Sequence, residues 1–555
     1  MTTPHPTNKD LFFLPLGGSG EIGMNLNLYG HNGKWLMVDC GVTFNDRLGV
    51  EVIMPNISFI EKHQKDLCAM VLTHAHEDHI GAIPYLWNLL KCPLYATPFT
   101  AAIIKNKLKD VGLLDQVPLH IIPLTGKLKV ADFEMEYITL THSIPEPNAL
   151  LIKTPLGSIF HTGDWKIDPS PMVGEKTDEK RLKEIGNEGV LAMVCDSTNV
   201  FTNGCSGSEG GVREELEKLF KTKTTGRLVV GCFASNLARV ETIMVAAKKS
   251  GRQVALVGRS LLRMFKAARE QGYMPDVDDP IDIAIAMKLP RERIVLISTG
   301  SQGEFKAGLT KISFDLHPYV KLDAGDSVIF SSRVIPGNEK TISALQNRFA
   351  LQGIEIVTAH EHDIHVSGHP ARDELKTMYS WIKPELLVPV HGEAIHMKEQ
   401  ARLGLSCGLK AAIPAQNGVM LQLAKAQGTF VCEVESGRIG LDGKRLIPMT
   451  SPLLKERLKM SQEGVILLSL TFKKNGQPTG VYDLSFLGLC LDVVEKEVLE
   501  DIVESALDTL FSEKSFKNTS DDFSKIQEMI RLSIRRAIGA KLNKKPVTIV
   551  HCLTA

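Results

Sequence analysis

The chain has no surplus of charge of either sign, because Lys and Arg together number 64, the same as Asp and Glu. A protein of this composition binds a polyanion only where positive charge is concentrated locally. The overall charge therefore indicates neither nucleic acid nor a membrane surface as a partner. The chain also contains no uncharged apolar run near the roughly 20 residues that cross a membrane. The polar segment Met1–Asp10 lacks the apolar core of a secretory signal.

Cysteine is sparse as well, since ten residues stand singly and no pair has the C-x-x-C spacing. This spacing argues against both a disulfide framework and a zinc knuckle. Cysteines within apolar runs, such as Cys195, are expected to be reduced thiols of a core. These features predict a cytoplasmic protein with no membrane partner. A length of 555 residues with 43% apolar content predicts two to four domains.

What the chain does contain is a dense group of metal-ligand residues directly after the apolar run Cys68–Leu72. His74, His76, Asp78 and His79 fall within six residues. A short apolar run that stops at a polar cluster is typical of a buried strand ending in a loop. Because neighbouring loop residues point in different directions, the first two can face one ion and the last two a second. Imidazole and carboxylate suit zinc or manganese.

The run from His74 to His79 reads HAHEDH and resembles the signature of the metallo-β-lactamase superfamily. Motifs further along are similar to those of the β-CASP nucleases, most closely the ribonuclease J family, over about residues 8–555. The resemblance implies an α/β fold: a metallo-β-lactamase αββα sandwich, an inserted β-CASP parallel α/β domain and a small C-terminal α+β domain. The expected boundaries are 8–207 and 365–448 for the two parts of the lactamase domain, 208–364 for the β-CASP domain, 449–463 for a linker and 464–555 for the C-terminal domain.

Further candidate ligands follow other predicted strands. His142 and Asp164 come after two of them, and active sites of sheet proteins lie at strand ends. By the resemblance, His142 completes the shell of the first ion, Asp164 bridges both ions, and His391 binds the second ion. Asp39 ends the strand Trp35–Val38. It is either a turn former or, as the family implies and we favour, an acceptor that orients a ligand histidine.

From about residue 208 strands and helices alternate, which predicts a parallel sheet flanked by helices. By the resemblance, Asp196 and His369 belong to the first and second β-CASP motifs. Two loops of small residues, 233–236 and 298–304, expose backbone N–H groups that suit phosphate, although such loops are more often ordinary turns. By the resemblance, the segment 365–369 is a phosphate clamp. The predicted phosphate-binding residues are Phe233, Ala234, Ser235, His365, Val366, Ser367, Gly368 and His369.

The reaction that the resemblance implies is hydrolysis of RNA phosphodiesters. Two ions would activate a water, Asp78 would act at the second ion, and His369 would protonate the leaving oxygen, oriented by Asp196. Two zinc ions are expected, with manganese or magnesium as alternatives. We expect a 5′-to-3′ exonuclease that prefers 5′-monophosphate ends and also cuts internally, in RNA decay and maturation. The alternatives are a strictly endonucleolytic ribonuclease, a DNA nuclease, a small-ester hydrolase or a non-catalytic RNA-binding scaffold.

The last hundred residues contain no cluster of candidate ligands. The turn Lys474-Asn475-Gly476 lies between two alternating apolar segments and predicts a hairpin. Two helices are predicted over Val493–Phe511 and Asp521–Leu542. A basic face on the second helix, with Arg535 and Arg536, favours a solvated surface over an RNA contact. We expect this part of the chain to support a homodimer or homotetramer.

Overall fold

The computed structural model describes residues 4–44, 48–335, 337–424, 428–474, 476–513, 516 and 523–554. The chain divides into two compact units. The larger contains the described residues of 1–44 and 52–439, and the smaller contains those of 45–51 and 440–555. Within the described ranges, no helix is long and apolar enough to cross a membrane.

Two sheets of the larger unit face each other across an apolar core. The first has the strand order Thr429–Glu433, Val419–Gln422, Leu11–Gly17, Leu26–His31, Lys34–Val38, Leu67–Val71, Leu94–Ala96 and Leu119–Ile121. The second has the order Lys127–Val130, Phe133–Thr139, Asn148–Thr154, Gly157–His161, Ala192–Asp196, Leu386–Val390 and Ala411–Ala412. Phe13 and Tyr29 from the first sheet share a buried cluster with Tyr137 and Leu150 from the second. This packing buries one face of each sheet.

Helices cover the outer faces, so the layers follow the order αββα. Leu182, Leu375 and Met378 come from helices and pack with Phe160 and Met193 on the second sheet. The helices of these layers and their connections are Ser58–Lys62, Gln64–Asp66 (3₁₀), Glu77–Ile80, Ile83–Leu90, Pro98–Asp110, Glu179–Glu188, Arg372–Ile382 and Ala394–Ser406. Short strands at the edges are Ser19–Gly20, Thr43–Phe44, Val52–Pro55 and Gly392–Glu393. The predicted sandwich is confirmed.

A parallel α/β domain is inserted into the second sheet. Its strand order is Gln253–Val257, Ile294–Ser298, Leu228–Gly231, Ser327–Phe330 and Glu355–Thr358, and neighbouring strands are parallel. Its helices are Glu209–Thr222, Leu237–Lys249, Arg259–Glu270, Ile283–Ala286, Arg291–Arg293 (3₁₀), Gly308–Ser313 and Glu339–Leu351. The chain leaves the sandwich after Asp196 and returns through the next strand of the same sheet, where Val390 is the parallel partner of Asp196. The insertion therefore separates, in the chain, two strands that are neighbours in the sheet.

The smaller unit is an α+β fold. Its sheet has the order Pro478–Leu487, Val465–Phe472 and Val547–Thr554. The first two strands form the predicted antiparallel hairpin, and its turn residue Asn475 lies outside the described residues. The long helices are Val493–Ser512 and Phe523–Leu542; Asp521, expected at the start of the second, is also outside the described residues. Other strands are Arg438–Asp442 and Arg445–Pro448.

Two segments differ from the sequence interpretation. The charged segment Ser451–Glu463, expected as a linker, contains the helix Pro452–Glu463. The Oγ atom of Ser451 caps that helix by accepting from the N–H of Leu453 at 3.3 Å. A serine cap followed by proline at the first helical position is a strong helix start, which the charge pattern obscured. The apolar run Ile80–Leu90 predicts one helix, but the structure begins that helix at Ile83, because a short helix Glu77–Ile80 ends before a turn at residues 81–82.

Candidate metal centre

Two residues of the candidate site lie at the ends of strands and have left-handed backbone conformations. Asp39 follows Lys34–Val38 with a φ of 63°, and His391 follows Leu386–Val390 with a φ of 52°. This conformation costs about 1–3 kcal/mol at a residue other than glycine. Backbone hydrogen bonds maintain it, since the N–H of His391 donates to the carbonyl of Gly18 at 2.6 Å. Strain of this kind collects at functional sites.

Three histidines form the first group of candidate ligands. The Nε2 atom of His74 lies 3.0 Å from Nδ1 of His76, and Nε2 of His142 lies 3.1 Å from that same atom. Oδ2 of Asp164 lies 4.0 Å from Nε2 of His74 and 3.8 Å from Nε2 of His142. Bonds of about 2.0–2.1 Å to a tetrahedral zinc ion place ligand atoms about 3.3–3.4 Å apart. The group therefore fits one ion after small side-chain movements.

The second group uses the same aspartate oxygen. Oδ2 of Asp164 lies 3.2 Å from Nε2 of His79 and 3.5 Å from Nε2 of His391. Oδ2 of Asp78 lies 3.7 Å and 3.8 Å from those two nitrogens. Asp164 is thus common to both groups. Asp78 is half-buried, whereas the other three residues of this group are buried. The second group therefore opens toward solvent on the Asp78 side.

Hydrogen bonds determine which ring nitrogen faces each group. Nδ1 of His142 donates to the carbonyl of Gly368 at 2.5 Å, and Nδ1 of His391 donates to Oδ1 of Asn25 at 2.8 Å. These oxygens only accept, so each Nδ1 carries the proton and each Nε2 turns a lone pair into its group. The buried Nε2 of His391 and Oδ1 of Asp164 have no hydrogen-bond partner in the described part of the chain. Hydrogen-bond acceptors that converge with no hydrogen-bond donor among them need a cation. This set of nitrogen and oxygen ligand atoms fits divalent metal ions.

Two buried polar residues, Asp39 and Asn25, accept hydrogen bonds from candidate ligand histidines. Oδ2 of Asp39 accepts from Nδ1 of His79 at 2.7 Å and from the hydroxyl of Thr73 at 2.8 Å. Asn25 was not identified from the sequence. Besides accepting from His391, its amide nitrogen donates to the carbonyl of Asp78 at 3.2 Å and lies 3.0 Å from Nε2 of His79. The only signal in the sequence was a polar residue at the start of an apolar strand, which no spacing rule connects to the ligands.

The half-buried His369 and the buried Asp196 form a pair beside both groups. Nδ1 of His369 lies 2.8 Å from Oδ2 of Asp196, whose other oxygen accepts from the N–H of Thr198 at 2.8 Å. The His369 ring centroid is 5.1 Å from that of His142 and 5.5 Å from that of His391. Burial opposes the charged ring, but the nearby Asp196 carboxylate outweighs it and raises the pKa of His369 to about 9. Asp196 therefore favours the protonated form of an imidazole that lies next to the candidate ligands.

The predicted phosphate loop 365–369 contacts the first group directly. A Cβ on Gly368 would lie 2.7 Å from Cε1 of His142, so a larger residue would push the loop away from this ligand. Oγ of Ser367 accepts from the N–H of His369 at 3.1 Å, and Val366 lies against Gly207. The buried Nδ1 of His365 has no hydrogen-bond partner among the described residues. Burial and the charge of Arg239 lower the pKa of His365 to about 3.

The other predicted phosphate loop precedes the helix Leu237–Lys249. Phe233, Ala234 and Ser235 are half-buried there. A buried arginine of that helix, Arg239, joins this region to the 365–369 loop, because its Nη1 donates to the carbonyl of Ile364 at 2.9 Å. Arg239 also pairs with the buried Glu209 at 3.0 Å. The structure gives no hydrogen bond between the described residues of the two loops, so their common role is a proposal.

Family models match four stretches of the chain. Residues 24–173 match the metallo-beta-lactamase superfamily, and residues 225–349 match the ribonuclease J beta-CASP domain. Residues 353–414 match the Zn-dependent metallo-hydrolase RNA specificity domain, and residues 452–555 match the ribonuclease J C-terminal domain. The sandwich, its inserted parallel domain and the two ligand groups define a β-CASP metallo-hydrolase of the metallo-β-lactamase superfamily, and this class implies a divalent metal.

Curated relatives cover nearly the whole chain. Ribonuclease J of Sinorhizobium meliloti is 42% identical over 550 residues, which cover 98% of this chain and 97% of the relative. Ribonuclease J of Mycolicibacterium smegmatis is 36% identical, with 96% and 95% covered. A crystal structure of a protein of unknown function from Enterococcus faecalis shares the fold, with a TM-score of 0.53 and 16% identity over 74% of this chain and 100% of that one. The chain belongs to the ribonuclease J family, a family of metal-dependent ribonucleases.

Proposed function

We propose that this chain hydrolyses RNA stepwise from a 5′-monophosphate end and also cuts RNA internally. The observation that carries the proposal is the hydrogen bond from Nδ1 of His142 to the carbonyl of Gly368 at 2.5 Å. It joins a candidate ligand to the loop that we expect to hold the terminal phosphate. A phosphate gripped there would set a short, fixed distance between the RNA end and the reacting bond. Such a distance favours removal of mononucleotides.

The metal ions of the proposed reaction are two zinc ions, with manganese or magnesium as alternatives. His74, His76 and His142 would hold one ion and Asp78, His79 and His391 the other, with Asp164 shared. Five imidazoles and two carboxylates form this donor set, which is richer in nitrogen than magnesium prefers. When bound, the ions would make a water nucleophilic near neutral pH and offset negative charge on the phosphodiester.

The chain's own side chains supply the proton chemistry. Because Nδ1 of His369 is engaged by Asp196 at 2.8 Å, its Nε2 is the atom free to carry a proton toward the substrate. We propose that Nε2 protonates the leaving sugar oxygen, and that Asp196 keeps the ring in the required orientation. The 365–369 loop would orient the substrate through its backbone N–H groups and Ser367. Nδ1 of His365, which has no hydrogen-bond partner among the described residues, is suited to a phosphate hydroxyl or a bound water.

One digestion series tests the direction of cleavage. The substrates are a single RNA with a 5′-monophosphate, a 5′-triphosphate or a 5′-hydroxyl, a circular form of it, and a DNA of the same sequence. We expect mononucleotides chiefly from the monophosphate form, slower internal cuts in the circle and little cleavage of DNA. A triphosphate would crowd the loop, and a hydroxyl would leave its donors unpaired. Equal product patterns from all three linear RNAs would favour the strictly endonucleolytic alternative, and efficient DNA cleavage would favour the DNA nuclease.

We also propose that the smaller unit mediates a homodimer or homotetramer. Several large apolar side chains of this unit are exposed: Leu491 at 91%, Val493 at 70% and Val494 at 69%. Apolar surface of this kind at the start of the helix Val493–Ser512 is suited to a contact between two copies. The boundaries 207/208, 364/365, 448/449 and 463/464 remain our proposal for the domains.

A further inference from the structure

The end of the helix Phe523–Leu542 and the segment after it form a cavity of about 400 Å³ with an unusual lining. Arg535, Arg536, Lys544 and Lys545 all line it, and no carboxylate is among the lining residues. We refer to this cavity as the basic pocket. It lies wholly within the smaller unit, which contains no candidate metal ligand group in the described residues.

The backbone explains how four cations from two segments meet. Asn543 has a left-handed φ of 53°, which reverses the chain directly after the helix. Its N–H donates to the carbonyl of Gly539 at 2.9 Å. A Cβ on Gly539 would lie only 3.0 Å from the carbonyl oxygen of Lys544, so the glycine permits the close return of the chain. Lys544 and Lys545 are therefore folded back beside the last helical turns that carry the arginines.

The cationic side chains of the basic pocket have no paired carboxylate among the described residues. Among the described residues, none of its four cationic side chains forms an ion pair with a carboxylate within 4.0 Å. Arg531, one turn earlier on the same helix, does pair with Glu528, at 2.5 Å. The carboxylate of Glu463 reaches this region, but it accepts from the backbone N–H of Lys545 at 2.5 Å. Arg535 and Lys544 are half-buried, so their charges are also partly removed from water.

A simpler role, compensation of the helix dipole, does not account for this arrangement. The carbonyl end of a helix carries roughly half a negative charge, which one cation offsets. Four adjacent cations repel one another, and a fold tolerates that repulsion more readily when an anion occupies the site. Two guanidinium groups with two ammonium groups are the usual recognition set for phosphate. The lining contains no aromatic ring on which a base could stack.

We propose that the basic pocket binds the phosphate backbone of RNA, as a contact separate from the metal centre and independent of base sequence. The proposal rests on RNA being the substrate, as proposed above. An RNA that spans the pocket and the metal centre would gain affinity from this contact, and an RNA too short to span them would gain none. The pocket would then determine which RNA is retained, while the metal centre performs the cleavage.

The test compares a triple variant, Arg535→Gln, Lys544→Gln and Lys545→Gln, with a control in the same unit. The control, Lys444→Gln, Lys455→Gln and Lys459→Gln, removes the same amount of charge from exposed positions outside the pocket. Steady-state kinetics of the metal-loaded enzymes are measured on a 5′-monophosphorylated pentanucleotide and on an RNA of about 30 nucleotides, at several salt concentrations. Solution mass is measured in parallel.

For the pocket variant we expect KM on the long RNA to rise about tenfold or more, with kcat and all pentanucleotide constants within about twofold of the parent. The dependence of log kcat/KM on log salt should also flatten by about 0.7 for each phosphate that the variant no longer neutralises. The control should match the parent on both RNAs. Unchanged KM on the long RNA, equal losses on both RNAs, or a change of solution mass that accounts for the loss would each overturn the proposal.

The design separates failure of this proposal from failure of the proposed function. If the parent enzyme does not cleave the pentanucleotide, the proposed function fails. A gel-shift assay with the long RNA then still reports on the pocket. Weaker binding by the pocket variant than by the control would support the RNA contact in that case, and equal binding would overturn it.

Discussion

The hydroxyl of Tyr273 donates a hydrogen bond to Oε1 of Glu146 at 2.9 Å and so joins the inserted domain to the sandwich. Glu146 is 5% exposed and has a left-handed φ of 56°, four positions after His142. Its other oxygen accepts from the N–H of Phe99 at 2.8 Å. Burial raises the pKa of Glu146, and the bonds from its donors act against that rise. One hydroxyl thus stabilises a buried carboxylate close to the candidate metal centre.

Tyr273→Phe should destabilise the larger unit by about 1–3 kcal/mol, because Oε1 of Glu146 loses its donor while still buried. The loss should grow with pH. Without the hydroxyl the folded-state pKa of Glu146 rises further above its unfolded value, and a group with a raised pKa loses stability as pH increases through that folded pKa. Thermal unfolding at pH 5 and pH 8 measures both effects.

The matched control for this prediction is Tyr319→Phe, since Tyr319 is 58% exposed. It should leave the unfolding midpoint unchanged at both pH values. If Tyr273→Phe lowers the stability by the same amount at pH 5 and pH 8, the loss does not arise from the hydrogen bond to Glu146.

Asn25→Ala should weaken binding of one of the two metal ions by about 10–100-fold, the usual effect of removing a residue that orients a ligand. Asn25 accepts from Nδ1 of His391 at 2.8 Å and donates to the carbonyl of Asp78. Both contacts serve the second group, so the first ion should bind normally. Metal titration by calorimetry measures this difference. The exposed Asn88→Ala serves as the control, and equal weakening at both sites would contradict the assignment.

Asp78→Ala should reduce turnover by more than about 100-fold and lower the metal content from two ions per chain to one, because it would remove a proposed ligand of the second ion. Its neighbour Glu77→Ala should keep both ions, since the Glu77 side chain instead pairs with Lys107 at 2.5 Å. Turnover, metal analysis and circular dichroism are measured together. Near-normal activity of Asp78→Ala at saturating metal would exclude the two-ion assignment.

Ser367→Ala should slow 5′-monophosphate-dependent trimming by a factor that corresponds to about 1–3 kcal/mol of free energy. This is the cost of losing one hydrogen-bond donor to a charged group. The same Oγ accepts a hydrogen bond from the N–H of His369, so the variant also removes a contact that positions His369. Internal cutting of a circular RNA corrects for this, because it needs His369 but no 5′ end. Equal losses on linear and circular RNA would show that Ser367 does not recognise the terminal phosphate.

Deletion of residues 464–555 should lower the solution mass towards that of the monomer, because it removes the exposed apolar side chains near Leu491 and Val493. Light scattering coupled to gel filtration measures the mass. Val493→Ser with Val494→Ser is a milder variant that keeps the fold of the unit intact. If both proteins retain the parent's number of chains per particle, the smaller unit does not mediate assembly.

Short-range patterns in the sequence predicted the cluster from His74 to His79 and the alternating strands and helices of the inserted domain, while the αββα sandwich was implied by the family resemblance of the motifs. The cluster and the alternation depend on strand and helix periods and on residues close together in the chain, where spacing alone limits the geometry. The same holds for the helix Pro452–Glu463, whose start is encoded by the cap Ser451 and by proline at the first helical position. The conformational preferences of neighbouring residues determine such elements.

Only the tertiary structure decided which distant side chains meet. Asp196 and Val390 are partners because two parallel strands are adjacent, although a whole domain separates them in the chain. That pairing places His391 opposite His79, gives Asn25 its two contacts, and leads the chain back through the 365–369 loop beside His142. Tyr273 reaches Glu146 in the same way. Contacts of this kind arise from the packing of whole elements, so no pattern of neighbouring residues encodes them.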